Sequence, residues 1–269
     1  MLRLNQSHLT KLETCPRQFQ HSVLEQFLSP VSPDLQEKAE WGKHFHLLMQ
    51  QQELGLPLSP LLEQEQEMGI SVISLLNATH ERLLDHPERW QEAEHARTLQ
   101  FEDFLLTVVY DLLITQPNQG EIFDWKTYPK PKKHKLLAQE WQTKLYLFVL
   151  AETSHYQPEQ LSMTYWFVQS RTASETTHKT PIQSARIAYN VKEHEATRHH
   201  LKTLLNQLKQ DLENYERHNL PFPQVAEEKG ICPRCIFAHR CQRNGDSVPG
   251  NSPRESLFVD LDQIAELPI

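Results

Sequence analysis

Residues 100–127, QFEDFLLTVVYDLLITQPNQGEIFDWKT, constrain this chain more than any other stretch. The run at 100–114 is dense in β-branched and aromatic residues and suits one strand or two. QPNQG at 116–120 is turn chemistry, and EIFDWKT returns as a partner strand. A hairpin follows, and it sets Asp111 and Asp124 on adjacent strands. Side chains at i and i+2 of a strand share a face, so Asp124 and Lys126 project together and Trp125 points the other way. That pair is either an ion pair at a strand end or a metal carboxylate beside a catalytic ammonium. Asp111 stands in VVYDLLI with Val109 and Leu113 on its own face. A carboxylate there is expensive unless a backbone donor, an Arg or a cation satisfies it. Two carboxylates within reach of each other repel, and a divalent cation resolves the repulsion. Oxygen ligands with open water positions suit Mg²⁺ or Mn²⁺.

The rest of the chain supplies helices and further strands. Residues 7–28 read as a helix with Ser7 as a candidate N-cap and a break at Cys15-Pro16. Residues 34–54 place Leu35, Ala39, Gly42, His46 and Met49 on one helical stripe. Residues 59–84 read as a second long helix and 128–135, YPKPKKHK, as a loop. Residues 137–153 are an amphipathic helix, LSMTYWFVQ and QSARIAYNV are strands, and 192–217 is a polar helix. This order of helices, hairpin, helix, strands and helix predicts an α/β domain with a central mixed sheet flanked by helices. The folded part is expected over 1–245, with 246–269 a flexible tail.

Composition narrows the function. A net charge of −8 argues against a protein that coats nucleic acid non-specifically, while leaving room for one local basic groove. Lys130, Lys132, Lys133 and Lys135 follow Lys126 closely and suit phosphate contacts, or are simply a solvated loop. Glycine-rich nucleotide loops are absent. No apolar run spans a membrane and no apolar leader opens the chain, so a cytoplasmic location is expected.

Four further residues fit the picture. Gly42 would let its helix approach the sheet closely, and His46 lies one turn on, either as a core histidine or as a ligand. Gln142 and Tyr146, four apart, share a helix face. Taken in order, Gly42 to His46, Asp111, Asp124 to Lys126, and Gln142 to Tyr146 resemble the PD-(D/E)XK nuclease superfamily in its RecB-like branch. The pattern there is G-x-x-x-H, a strand Asp, (D/E)-x-K and Q-x-x-x-Y. Val109 and Tyr110 stand where that family commonly carries a Gly before the strand Asp, which makes Glu102 and Asp103 the competing carboxylates. The resemblance implies a restriction-endonuclease-like core and Mg²⁺- or Mn²⁺-dependent hydrolysis of DNA phosphodiester bonds. His46, Asp111, Asp124 and the carbonyl of Trp125 would hold the metal. Lys126 would be the catalytic ammonium, supported by Gln142 and Tyr146.

The chain has four cysteines: Cys15, and Cys232, Cys235 and Cys241 in C-x₂-C-x₅-C spacing. In a cytosolic chain such a group reads as metal ligands rather than disulfides. Spacing alone suits Zn²⁺ or an iron–sulfur cluster. The one-plus-three arrangement, with Cys15-Pro16 and Cys232-Pro233, resembles the [4Fe–4S] staple of RecB-like nucleases, a group that includes CRISPR-associated exonucleases and AddB-type helicase–nuclease subunits. The resemblance implies an exonuclease in DNA repair or recombination, with a helicase or CRISPR adaptation proteins as partners. A catalytically inactive DNA-binding or docking subunit, and a zinc-binding regulatory protein, are the alternatives.

Overall fold

The computed structural model describes residues 1–27, 33–58, 66–80, 88–128, 134–168 and 182–243. The expected tail at 246–269 and Lys130, Lys132 and Lys133 lie outside these residues. In chain order the larger elements are β1 (Leu2–Leu4), α1 (Gln6–Thr14), α2 (Pro16–Phe19), α3 (Pro33–Glu53) and α4 (Gln66–His80). Then come β2 (Trp90–Phe101), β3 (Phe104–Gln116), β4 (Gln119–Lys126), α5 (His134–Leu137) and α6 (Trp141–Glu152). The series closes with β5 (Leu161–Phe167), β6 (Gln183–Ala188) and α7 (Val191–His218). Among the described residues no helix is long and apolar enough to cross a membrane.

The six strands form one mixed sheet, in the order β1-β3-β4-β5-β6 with β2 also on β3. The predicted hairpin is present, with Gln116 opposite Gln119 across a two-residue Pro117-Asn118 turn. The run at 100–114 is two strands, and β2 begins ten residues earlier than its composition suggests. Its burial alternates along a polar sequence, WQEAEHARTLQF, so it carries no apolar run to announce it. β2 follows one edge of β3 along nearly its whole length. β1 pairs with Phe104–Leu106 and β4 with Leu112–Gln116, so both share the other edge. Among the described residues that edge has no strand partner between them, and the stretch ends at Asp111.

Helices cover both faces. One face packs Leu106, Val108, Tyr110 and Ile122 against α1, α6 and α7 through residues such as Leu9, Leu145 and Leu201. The other packs Leu112, Phe123, Trp125 and Trp166 against Phe45, Leu48 and Met49 of α3 and Met68 and Val72 of α4. The apolar alternation of β3 slips at Asp111: Tyr110 and Leu113 belong to the first face, Leu112 and Ile114 to the second. A kink at an aspartate inside an apolar strand is where the two faces meet. α6 joins the parallel pair β4 and β5 and is buried almost all round, from Trp141 to Leu150.

Two local expectations shift. Asn5, not Ser7, caps α1, its side chain accepting from the His8 N–H at 2.9 Å. On α3 the buried residues are Phe45, Leu48 and Met49, and His46 stands at their rim, half-buried.

Candidate active site

Each side chain of the site is placed by a local feature. A Cβ on Gly42 would lie 3.2 Å from Thr127 Oγ1, so α3 runs tight against the end of β4 there. One turn later, His46 Nε2 is 3.1 Å from the Trp125 carbonyl and its Nδ1 is 3.3 Å from Asp111 Oδ1. The imidazole therefore bridges β4 and β3. A carbonyl oxygen only accepts, so a proton at Nε2 leaves a neutral ring aiming its Nδ1 lone pair at a carboxylate. A second proton or a shared cation resolves that meeting. Asp111 Oδ2 accepts the Trp125 N–H at 2.6 Å, which explains both its tolerance in an apolar strand and the parting of β3 from β4.

Asp124 and Lys126 lie on one face of β4, as the strand period requires, while Trp125 packs into the opposite cluster. Lys126 Nζ is 3.0 Å from Asp124 Oδ2 and donates to Gln142 Oε1 at 2.7 Å. Gln142 Nε2 donates to Asp124 Oδ1, also at 2.7 Å. One amide from α6 thus holds both ends of the pair, and all three side chains are buried. The floor is Tyr165, whose ring centroid is 5.6 Å from Lys126 Nζ. Burial, with the charge of Asp124 adding to it, pushes the Tyr165 phenol well above its ordinary value. Its hydroxyl donates to Thr143 Oγ1 at 2.7 Å, which itself donates to the Leu137 carbonyl.

Tyr146 lies 1% exposed in the first apolar cluster, edge-on to Tyr110 at 5.3 Å between centroids. The Tyr110 hydroxyl donates to the Tyr146 carbonyl. Lys135 is exposed on α5. Glu102 and Asp103 form the β2–β3 turn, where Lys202 and Lys209 of α7 face them at 3.8 and 2.5 Å. They precede the start of β3, away from Asp111 in its interior.

The structure adds a residue. Ligand atoms of His46, Glu94 and Asp111 all lie within 4.8 Å of one another, a group of the size that holds one metal ion. Asp124 is outside that group, its oxygens turned to Gln142 and Lys126. Glu94 lies on β2 opposite Asp111, between the paired positions Ala93–Leu112 and His95–Tyr110. Its φ is +51°, a conformation that bulky L-residues rarely adopt. Such distortions collect where a side chain must be re-aimed. Nothing in a single sequence announces it, because β2 itself is polar.

The four cysteines also converge. They line one small cavity with Gln18, Val225 and Phe237. Cys15 ends α1, and Cys232 opens a 3₁₀ turn. Arg17 donates from its side chain to the Phe222 carbonyl and from its backbone to Pro223, and Gln20 accepts the Phe222 N–H, so the two chain ends are stitched together here. Burial, reinforced by the neighbouring sulfurs, pushes the Cys235 and Cys241 thiols up. Four neighbouring cysteines become thiolates together only around a cation. The donor set therefore fits a metal or a metal–sulfur cluster.

A family model of the PD-(D/E)XK nuclease superfamily matches residues 3–242. The chain belongs to that superfamily. Its mixed sheet between helical layers is the restriction-endonuclease-like arrangement expected of a PD-(D/E)XK domain. The crystal structure of SSO0001 resembles this PD-(D/E)XK domain at a TM-score of 0.41 and 13% identity, over 89% of this chain and 85% of that one. No curated protein matches.

Proposed function

We propose that this PD-(D/E)XK domain is a Mg²⁺- or Mn²⁺-dependent deoxyribonuclease, acting as an exonuclease on single-stranded or end-containing DNA. The observation that carries the reading is the meeting of His46, Glu94 and Asp111 beside an Asp124–Lys126 pair held by one glutamine. Those three side chains would hold the divalent ion, with Asp124 and the Trp125 carbonyl next to them. Bound there, such an ion supplies an activated water and polarises a phosphoryl oxygen. The protein's own part is positioning. Gln142 keeps the Lys126 ammonium at the end of β4, where it steadies charge that develops on the phosphoryl oxygens. His46 fixes the distance between β3 and β4, and the buried Tyr165 floor keeps water from reaching the pair from below.

The test is cleavage of single-stranded, duplex and overhang DNA by purified protein, with and without Mg²⁺ or Mn²⁺. Metal-dependent cleavage that Lys126→Ala abolishes supports the proposal. Cleavage unchanged by that substitution, or none on any substrate, leaves the inactive docking subunit as the better reading.

For the cysteines we favour a [4Fe–4S] cluster of structural role, as in RecB-like nucleases. The convergence of all four cysteines, one from the first helix and three from the C-x₂-C-x₅-C run, on a single cavity supports this reading. Anaerobic purification should give a brown protein with iron and sulfide, whereas zinc in a colourless one would reject the cluster. A cytoplasmic setting in DNA repair or recombination, beside a helicase or in CRISPR adaptation, fits this reading.

A further inference from the structure

The cysteine cavity has a neighbour that metal binding alone does not require. Directly after α2 the helix widens into a π turn, Gln20–Leu24, a local irregularity often found at functional sites. His21 sits in that turn and is 5% exposed. Its ring lies between those of Phe27 and Phe237, at 5.9 and 5.2 Å. Nδ1 is 2.6 Å from Glu25 Oε2, and Nε2 is 4.0 Å from Cys241 Sγ.

Glu25 is itself anchored. Its Oε1 accepts from Gln20 Nε2 at 2.7 Å and from the Tyr215 hydroxyl of α7 at 3.2 Å. An ionised carboxylate only accepts, so Nδ1 of His21 carries a proton and the ring cannot turn over without losing that bond. The other nitrogen, Nε2, faces the sulfur at the end of the C-x₂-C-x₅-C run. A coordinated thiolate has no proton to give, so Nε2 holds it only as an N–H donor, the ring bridging carboxylate and sulfur. Partners behind a metal ligand set its orientation, and removing one typically costs about 10–100-fold in metal affinity.

We propose that His21, oriented by Glu25, is a positioning residue for Cys241, holding its sulfur at the cavity so that the bound metal–sulfur group is retained. The inference rests on the reading of the cysteines as ligands. Cys241 needs such a hold more than Cys15 does, because it lies in a run of turns rather than at the end of a regular helix.

The experiment follows release of the bound group from full-length, anaerobically purified protein. A ferrous or zinc chelator reports metal, and the visible absorbance reports the cluster. His21→Phe keeps a ring between Phe27 and Phe237 and deletes both nitrogens. Release about tenfold faster than wild type, with an unchanged melting temperature of the metal-free protein, is the expected result. His21→Gln, which keeps a polar tip, should recover most of the retention. Wild-type release from folded His21→Phe overturns the proposal. If that variant does not fold, Glu25→Gln decides in its place: faster release supports the proposal and an unchanged rate overturns it. Wild-type protein carrying neither iron nor zinc refutes the cysteine reading itself, and that outcome shows before any variant is made.

Discussion

Asp111, Asp124 and Lys126 are each held by a backbone donor or by the Gln142 amide before any ligand arrives. The cysteine sulfurs hang instead from a helix end and from short 3₁₀ and irregular turns. Among the described residues the polar contacts to them are the Phe237 N–H on Cys235 at 3.4 Å and His21 against Cys241 at 4.0 Å. The first site is made by the sheet, and an ion would enter a place already shaped. The second has little to shape it, so filling it and completing the fold become one event. Chemistry and stability are thereby assigned to two separate groups of side chains.

The sharpest way to break that contrast is Lys126→Ala. Loss of a preorganised charge at the reacting group should lower the cleavage rate by about 10²–10³-fold. Because the substitution leaves the buried Asp124 without its cation, the melting temperature should fall as well, so the rate is read where circular dichroism shows the variant folded. Cys232→Ser should act through the fold. Loss of one ligand lowers the melting temperature by about 5–10 °C, the equivalent of a few kcal/mol in a domain of this size. Residual activity should track the folded fraction seen by circular dichroism. EDTA belongs to the same comparison, since it should stop cleavage without shifting the thermal transition.

Smaller effects test single contacts. Glu94→Gln should raise the Mg²⁺ concentration for half-maximal cleavage about tenfold, equivalent to about 1.4 kcal/mol. An unchanged metal dependence would remove Glu94 from the site. Gln142→Ala frees both Asp124 and Lys126 from their shared amide and should cost about tenfold in rate at saturating metal. An equal rate would mean that the strand alone aims the ammonium.

These contrasts track what a reader of the sequence can see. The β3–β4 hairpin and the places of α3, α6 and α7 along the chain follow from the sequence. However, α6 is buried all round where an amphipathic helix is expected, and α3 buries Phe45 and Leu48 where the stripe predicts Leu35 and Ala39. Asp124 with Lys126 follows from the two-residue strand period. Gln142 is visible as a polar residue on an apolar helix, and its bridging role then needs only the register of β4 against α6. β2 is illegible for a physical reason: its charged and half-exposed alternation reads as loop, and so hides Glu94. β1 is three residues long and pairs in parallel with a strand about a hundred residues away. The π turn under His21 is a matter of backbone hydrogen bonding, which no side-chain pattern encodes.

Cys15 and Cys241 lie near opposite ends of the described chain. During synthesis the first sulfur leaves the ribosome long before the other three exist, and the hydrogen bonds of Arg17 to Phe222 and Pro223 wait just as long. N-terminal segments fold first as a chain emerges. Here Cys15 and Arg17 must wait until the segment from Phe222 to Cys241 has been made, so a product truncated before it would never close this seam.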